Sequence, residues 1–417
     1  MTYAFFNFNT YLGGGETLIV RLAEYLKKTN YGFKVFYKTG SYIEKDLARI
    51  KIEKDYSCPI GAETDYYYLN NKDREKLREE ICSYLNDKED ICLVSLCARD
   101  LYTLTDIAKN NPRYKLAHLV LHNQDNLYVC QSLVDKLTMK LRGERRFSRK
   151  NQIAFNRALF NTLCNQSIVI PQSELQAELL KDEFDIATEK EKAVPLPVCD
   201  FSEFEYVQPE NNKKIIWIGR IVDFKLPALI VMLNFVSRHN DYSLTVVGDG
   251  DLDYVKNYMR NNSISDDNIT FVGKINYGDL ETIIKQHSVG YAMGTSIIEI
   301  GKYGLPVIMA LGSPDFKLYD KDICGGLYCH QSRGNVGDTM FYKKSKDPVL
   351  LIDVAFAELE SDYEKASREC YDELKSNFDE ETDFQLYMKL LSQANSITTD
   401  LTIPKASWIR RVMFHLF

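Results

Sequence analysis

Apolar runs of strand length alternate with helical patterns along this chain, and the alternation runs through twice. In the first half, YAFFNFNT, GFKVFYK, ICLVSLC, KLAHLVLH and QSIVIP read as strands. Helical spacing of apolar residues marks Asp73–Leu85, Tyr102–Lys109 and Ser173–Leu180 between them. The stretch AVPLPVCDFSEFEYVQPENNKK, with three prolines and then a polar run, interrupts the pattern. The pattern restarts with KIIWIG, SLTVVG, NITFVG, SVGYAM and LPVIMA. Alternation of this kind demands a mostly parallel sheet covered by helices. A chain of 417 residues has room for two such domains. The expected fold class is α/β, with two doubly wound Rossmann-like domains facing across a cleft. The expected division is an N-terminal domain at 1–197, a linker at 198–214, a second domain at 215–380, and a terminal helix and tail at 381–417.

In doubly wound folds chemistry gathers at the carboxyl ends of the strands, and several strand ends here carry unusual residues. After the first strand, Gly13, Gly14 and Gly15 open an amphipathic helix whose apolar face is Leu18, Ile19, Leu22, Ala23 and Leu26. Glu16 sits in its first turn, where the helix dipole favours a carboxylate. Such a loop can present backbone N–H groups to a phosphate or a sugar hydroxyl, or be only a tight turn. It matches neither the dinucleotide fingerprint nor the Walker loop. After KIIWIG come Arg220 and Lys225, two cations five residues apart, suited to a diphosphate leaving group. SLTVVG runs into Gly248-Asp249-Gly250; Asp249, Asp251 and Asp253 read either as a DxD metal motif or as the carboxylates a helix start favours. Gly294-Thr295-Ser296 enters a helix with Glu299 one turn inside. The hydroxyls and helix terminus can hold phosphate oxygens, and Glu299 a ribose diol; a capping box is the competing structural reading.

Composition excludes other classes. A net charge of −7 argues against general nucleic-acid binding. No apolar run reaches membrane-spanning length. MTYAFFNFNT lacks a basic region and a cleavage site, so a signal peptide is not expected. The ten cysteines show no CxxC pair and no metal spacing, which favours free thiols in the cytoplasm and no bound metal.

From Ile215 to Ala310 the chain resembles the donor half of the retaining family 4 glycosyltransferases, which have the GT-B fold. The matches are Gly219, Arg220 and Lys225; Gly248, Asp249 and Gly250; Phe271, Val272 and Gly273; and Glu299 with Gly304-Leu305-Pro306. The GGxE loop at Gly13–Glu16 also matches. The resemblance implies a nucleotide-diphosphate sugar as donor, a UDP-sugar favoured, and no metal or other cofactor. It implies that Arg220 and Lys225 stabilise the leaving diphosphate and that Gly13, Gly14 and Gly15 close onto sugar and diphosphate. It implies donor contacts from Gly294, Thr295, Ser296, Glu299, Gly248 and Gly273, and a cleft role for His122, which ends KLAHLVLH. Arg99 and Asp100 are candidates to reach the acceptor, while His118 reads as internal. One position departs from the family: its first glutamate is replaced by Tyr291, in a shortened loop. A catalytically silent GT-B subunit, binding glycan or a partner enzyme, is therefore the alternative. A sugar-nucleotide epimerase would want more carboxylates and histidines in the cleft.

Two basic stretches point to the acceptor. Lys136, Lys140, Arg142, Arg145, Arg146, Arg149 and Lys150 cluster in one. The tail sets Trp408, Ile409, Val412, Met413 and Leu416 on one helical face, with Arg410, Arg411 and His415 off it. Both read either as helices lying on anionic lipid or as packed helices with a solvated basic side. The overall expectation is a cytoplasmic, peripheral enzyme that extends a glycan or lipid-diphosphate-linked glycan.

Overall fold

The structure, a computed structural model, describes all residues except 11–13, 122–149, 185–192, 198–200, 202–203, 205, 207–208, 210–212, 223, 314–320, 342–343, 400 and 406–417. The chain forms two compact units. The first comprises 1–172, 176–194 and 384–417; the second comprises 173–175 and 195–383. The described residues from Phe384 onward, up to Lys405, belong to the first unit.

The first unit is built on a six-stranded sheet: β1 (Thr2–Asn7), β2 (Gly32–Lys38), β3 (Ser57–Ile60), β4 (Ile91–Ser95), β5 (Tyr114–Val120) and β6 (Ile168–Pro171). The order is β3-β2-β1-β4-β5-β6, and every pairing is parallel. Strands buried on both faces read as continuous apolar runs, and β4 and β6 are buried at every position. The helix Gly14–Lys27 buries Leu18, Ile19, Leu22, Ala23 and Leu26, the face its spacing requires. Helix Asn71–Ser83 lies two residues earlier than expected, Ala98–Lys109 begins four residues earlier, and Glu174–Phe184 begins one residue later and ends four later. β3 carries only four residues and was not legible as a strand.

The second unit has β7 (Lys214–Ile218), β8 (Ser243–Val247), β9 (Ile269–Gly273), β10 (Val289–Ala292) and β11 (Val307–Met309), in the order β11-β10-β7-β8-β9. These pairings too are parallel. The helix Leu226–Arg238 is buried along most of its length and anchors the core beside Trp217, Val246 and Tyr291. In both sheets the chain starts mid-sheet, builds outward to one side, then crosses back to build on the other. The order therefore reverses between β1 and β4 in the first unit and between β7 and β10 in the second.

The terminal helix Glu380–Leu391 is tied into the first unit by a buried bond: the Tyr387 hydroxyl donates to the Val194 carbonyl at 2.9 Å. Removing only the hydroxyl strips a buried carbonyl of its donor. Tyr387→Phe should therefore lower unfolding free energy by about 1–3 kcal/mol in urea titration. An unchanged midpoint would show that this tie contributes nothing.

Candidate functional site

Crevices form where strand order reverses, because neighbouring loops there leave in opposite directions. In the second unit the reversal lies between the carboxyl ends of β7 and β10, and both ends carry the sequence-predicted residues. β7 runs out into Gly219-Arg220. The Gly219 N–H donates to the Val247 carbonyl at 2.9 Å, and the Ile221 N–H to the Asp249 carbonyl at 2.7 Å. The loops after β7 and β8 are thus zipped together. A Cβ on Gly248 would stand 2.0 Å from the Gly219 carbonyl oxygen, and one on Gly250 would stand 2.1 Å from that of Ile221. Both glycines also have positive φ, of 145° and 136°. This loop contact by itself requires both glycines. Gly273, at φ 77°, ends β9, and its carbonyl accepts from the Gly248 N–H. Asp251 caps the helix Leu252–Asn261 by accepting from the Tyr254 N–H at 3.0 Å, the helix-start role of the DxD-like run.

The zipped loop delivers two cations. Arg220 is exposed and Lys225 half-buried, and among the described residues neither has a carboxylate partner. Lys225 folds back over the strand end: a Cβ on Gly219 would lie 3.2 Å from its Nζ and 3.7 Å from the Trp217 Nε1. That indole N–H is buried without a partner. Loss of water around the ammonium, then repulsion from Arg220, lowers the Lys225 pKa from 10.5 to about 8. Donors and positive charge converge here with no acceptor, a local arrangement that an anion would relieve.

Across the reversal, β10 leads through Met293 into the helix Thr295–Gly301. Gly294 is its N-cap, at φ 68°, and no side chain caps the turn. The capping-box reading of Thr295, Ser296 and Glu299 therefore fails. The Gly294 N–H is already spent on the Val336 carbonyl at 2.7 Å. Thr295 and Ser296 are half-buried. Glu299 is buried, and its Oε2 accepts from the Lys302 Nζ at 2.7 Å. Sequence reading missed this lysine, one helical turn on, although the i to i+3 spacing was visible. It also missed the loop around Val336. There Asn335 donates to Asp347 at 2.5 Å and to Thr339 at 2.8 Å, and Gly337 packs under Ala310 and Met293. The turn-rich run SRGNVGD was its only signal.

Tyr291 lies within β10, fully buried, its ring 5.8 Å from Trp217. Among the described residues its hydroxyl has no hydrogen-bond partner, and burial raises its pKa well above the ordinary value. The residue standing at the family's first glutamate is thus a core side chain.

The reversal in the first unit holds a polar network. At the end of β1, Asn7 and Asn9 donate to the Glu16 Oε1 at 2.9 and 3.0 Å. Arg99 donates to the Asn9 Oδ1, and its Nη1 lies 3.3 Å from the Asp65 Oδ1. Asp100 is fully buried with neither carboxylate oxygen in a well-formed hydrogen bond. Burial raises its pKa from 3.8 to about 7, against the pull of Arg99 and the Phe8 N–H. Asp65 shifts in the same direction, through burial first, with Arg99 opposing. Gly14 and Gly15 are the first residues of the helix rather than a free loop. A Cβ on Gly15 would stand 2.5 Å from Leu121, whereas Gly14 faces open space. His118 is buried, 3.3 Å from the Ser95 hydroxyl and edge-on to Phe160, an internal residue. Gly13, His122, the cluster from Lys136 to Arg149 and the Trp408–Phe417 tail lie outside the described residues.

No family model and no curated protein matches the chain. Solved structures do. HepE of Anabaena in complex with UDP-glucose superposes with a TM-score of 0.60 at 14% identity, covering 94% of this chain and 99% of that one. The pneumococcal O-GlcNAc transferase GtfA, in complex with UDP and GlcNAc, gives 0.56 at 11% identity, covering 94% and 98%. The lipopolysaccharide outer core galactosyltransferase WaaB gives 0.58 at 12%, covering 94% and 99%. The architecture is therefore the GT-B fold of these glycosyltransferases.

Replacing Tyr291 by Phe removes a buried hydroxyl that has no partner. The variant should melt at the same temperature as the parent or higher in calorimetry. A clear drop would mean that the hydroxyl is held by a group at the site.

Proposed function

We propose that this protein is a retaining glycosyltransferase of the family 4 type. It would move a hexose from a nucleotide-diphosphate sugar, a UDP-sugar in the first instance, to a glycan or lipid-diphosphate-linked glycan of a surface polysaccharide. The observation that carries this reading is the pair Arg220 and Lys225. Among the described residues they are cations without carboxylate partners, at and just beyond the end of β7, beside the strand-order reversal. The likeness in fold to HepE with UDP-glucose and GtfA with UDP and GlcNAc supports the donor class. The likeness to WaaB supports a surface-glycan role.

In the proposed mechanism Arg220 and Lys225 take the two phosphates, and the Thr295 and Ser296 hydroxyls add neutral donors. Glu299, buried and oriented by Lys302, accepts from the ribose hydroxyls. The bond between the anomeric carbon and the phosphate oxygen breaks as the acceptor oxygen bonds to that carbon from the same face. The acceptor proton passes to the departing diphosphate, so no dedicated base is needed. The barrier is then lowered chiefly by neutralising charge on the leaving group, which two cations do without a metal ion. On the acceptor side we assign Gly13, Gly14 and Gly15, His122 and the Arg99–Asp100 pair. The buried Tyr291 leaves sugar contacts to Gly294, Thr295 and backbone groups; Gly248 and Gly273 shape the floor. The basic clusters at Lys136–Lys150 and in the tail support docking on an anionic membrane face. No helix among the described residues is long and apolar enough to cross a membrane.

Arg220→Ala and Lys225→Ala should each lower turnover about 100-fold or more while the fold is kept. Unchanged turnover in either would sink the assignment. Lys225 also sets a pH signature. In the free protein its depressed pKa means that folding stability rises between about pH 8 and pH 10.5, where only the unfolded chain keeps the proton. UDP affinity should fall as pH rises from about 8, where Lys225 loses its charge. Lys225→Met should therefore melt higher than the parent yet bind UDP poorly. In the same calorimetric assay Glu299→Ala should weaken UDP binding by about 1–3 kcal/mol. A lower melting temperature with unchanged affinity would reduce Glu299 to a partner for Lys302. Flotation with vesicles tests docking: anionic but not neutral vesicles should carry the full chain, less so in high salt.

A further inference from the structure

Away from both strand-order reversals, one cluster brings three metal-ligating side chains together, with a second cysteine against one of them. The short turn Tyr328–His330 packs against the helix Tyr363–Phe378. The turn contributes Cys329 and His330, and the helix contributes Glu369 and Cys370. The ligand atoms of Cys329, His330 and Glu369 all lie within 4.8 Å of one another. The sulfurs of Cys329 and Cys370 are 3.7 Å apart, and both are free thiols.

We propose that Cys329, His330 and Glu369 hold a structural zinc ion, with the Cys370 thiolate, in contact with Cys329, closing the set as the ion binds. Zinc–sulfur bonds of about 2.3 Å at a tetrahedral angle set two ligand sulfurs about 3.8 Å apart. The observed separation matches, although a thiol–thiol hydrogen bond has the same length. The histidine and carboxylate beside the pair are what single out a metal. Two sulfurs, one imidazole and one carboxylate suit zinc, and poorly suit magnesium or calcium, which want oxygen alone. Glu358 Oε1 lies 3.5 Å from the His330 Nδ1. A carboxylate in that place orients a ligating imidazole and leaves Nε2 for the ion. Charge is accounted for as well. Two thiolates and a carboxylate around Zn²⁺ leave one net negative charge, and Lys365 Nζ stands 3.9 Å from the Glu369 Oε1. Cys370 is buried and Cys329 half-buried, while His330 and Glu369 are exposed, so the ion enters from solvent over a sulfur floor. Binding displaces the two thiol protons to solvent and changes no oxidation state.

The consequence for the unit is local. The helix that carries Glu369 and Cys370 also carries Leu374, which fills the space above Gly301 in the helix of Glu299: a Cβ there would stand 2.1 Å from Leu374 Cδ1. Zinc would pin the turn to the layer supporting that helix.

The test uses the full chain, reduced and stripped of metal, then given zinc chloride and desalted. Mass spectrometry should count about one zinc per chain, and melting temperature should rise with zinc. Cobalt in place of zinc should show thiolate-to-metal charge-transfer absorption. His330→Ala and Cys329→Ser, neither fully buried, should lose the metal while keeping the fold. Glu358→Gln should weaken binding roughly 10-fold. Cys82→Ser should bind as the parent does. Three results would overturn the site: no zinc retained by the parent, parental affinity in His330→Ala, or a Cys329–Cys370 disulfide in chain purified under reductant. None of these readouts involves UDP or turnover, so the site stands or falls apart from the glycosyltransferase reading.

Discussion

The arrangement of the second unit depends on one close contact: the carbonyl oxygen of Gly219 occupies the space that a side chain on residue 248 would need. Because residue 248 has no side chain, the loops after β7 and β8 hydrogen-bond as a continuation of the sheet. That continuation fixes the backbone of Arg220 and leaves Lys225 nowhere to go but back over Gly219. The cost is electrostatic, since the ammonium loses water and faces a guanidinium. Free energy stored this way becomes available to any anion that binds, which is how a rigid loop can prefer a diphosphate over water.

The first unit solves the same topological problem differently. Its strand-order reversal is filled by a polar network rather than by bare cations. Glu16 is satisfied by two asparagines, and Arg99 is shared between Asn9 and Asp65. Asp100 is left poorly satisfied, with its pKa near neutrality. One unit presents charge in search of a counter-charge; the other presents a scaffold already neutralised, with one carboxyl poised to hold or release a proton.

Most strands were legible because a parallel sheet buried on both faces writes itself as an apolar run. β3 was not, because four residues with a proline among them give no period to read. Arg220 and Lys225 were legible because charged residues directly after an apolar strand have few structural reasons to be there. The glycines were visible but misleading. Gly248 and Gly250 are demanded by neighbouring backbone and Gly15 by Leu121, which no local pattern reports. Lys302 beside Glu299, and Cys329 beside Cys370, come from tertiary folding or from a turn of helix whose partner the sequence left open. The role of Tyr291 needed the strand's exact end: β10 runs one residue past it, to Ala292, and keeps its side chain in the core.

The return of the chain at Phe384 bears on the order in which the protein is made. Residues 1–194 leave the ribosome first, yet their core also holds Phe384, Tyr387, Leu391, Leu401 and Ile403. Those side chains are synthesised after the entire second unit. The second unit, apart from the short piece 173–175, is contiguous from 195 to 383 and has its own hydrophobic core. It can therefore close while the earlier-made unit still waits for its last helix. During that interval the first unit exposes apolar surface that only the far end of the chain can cover.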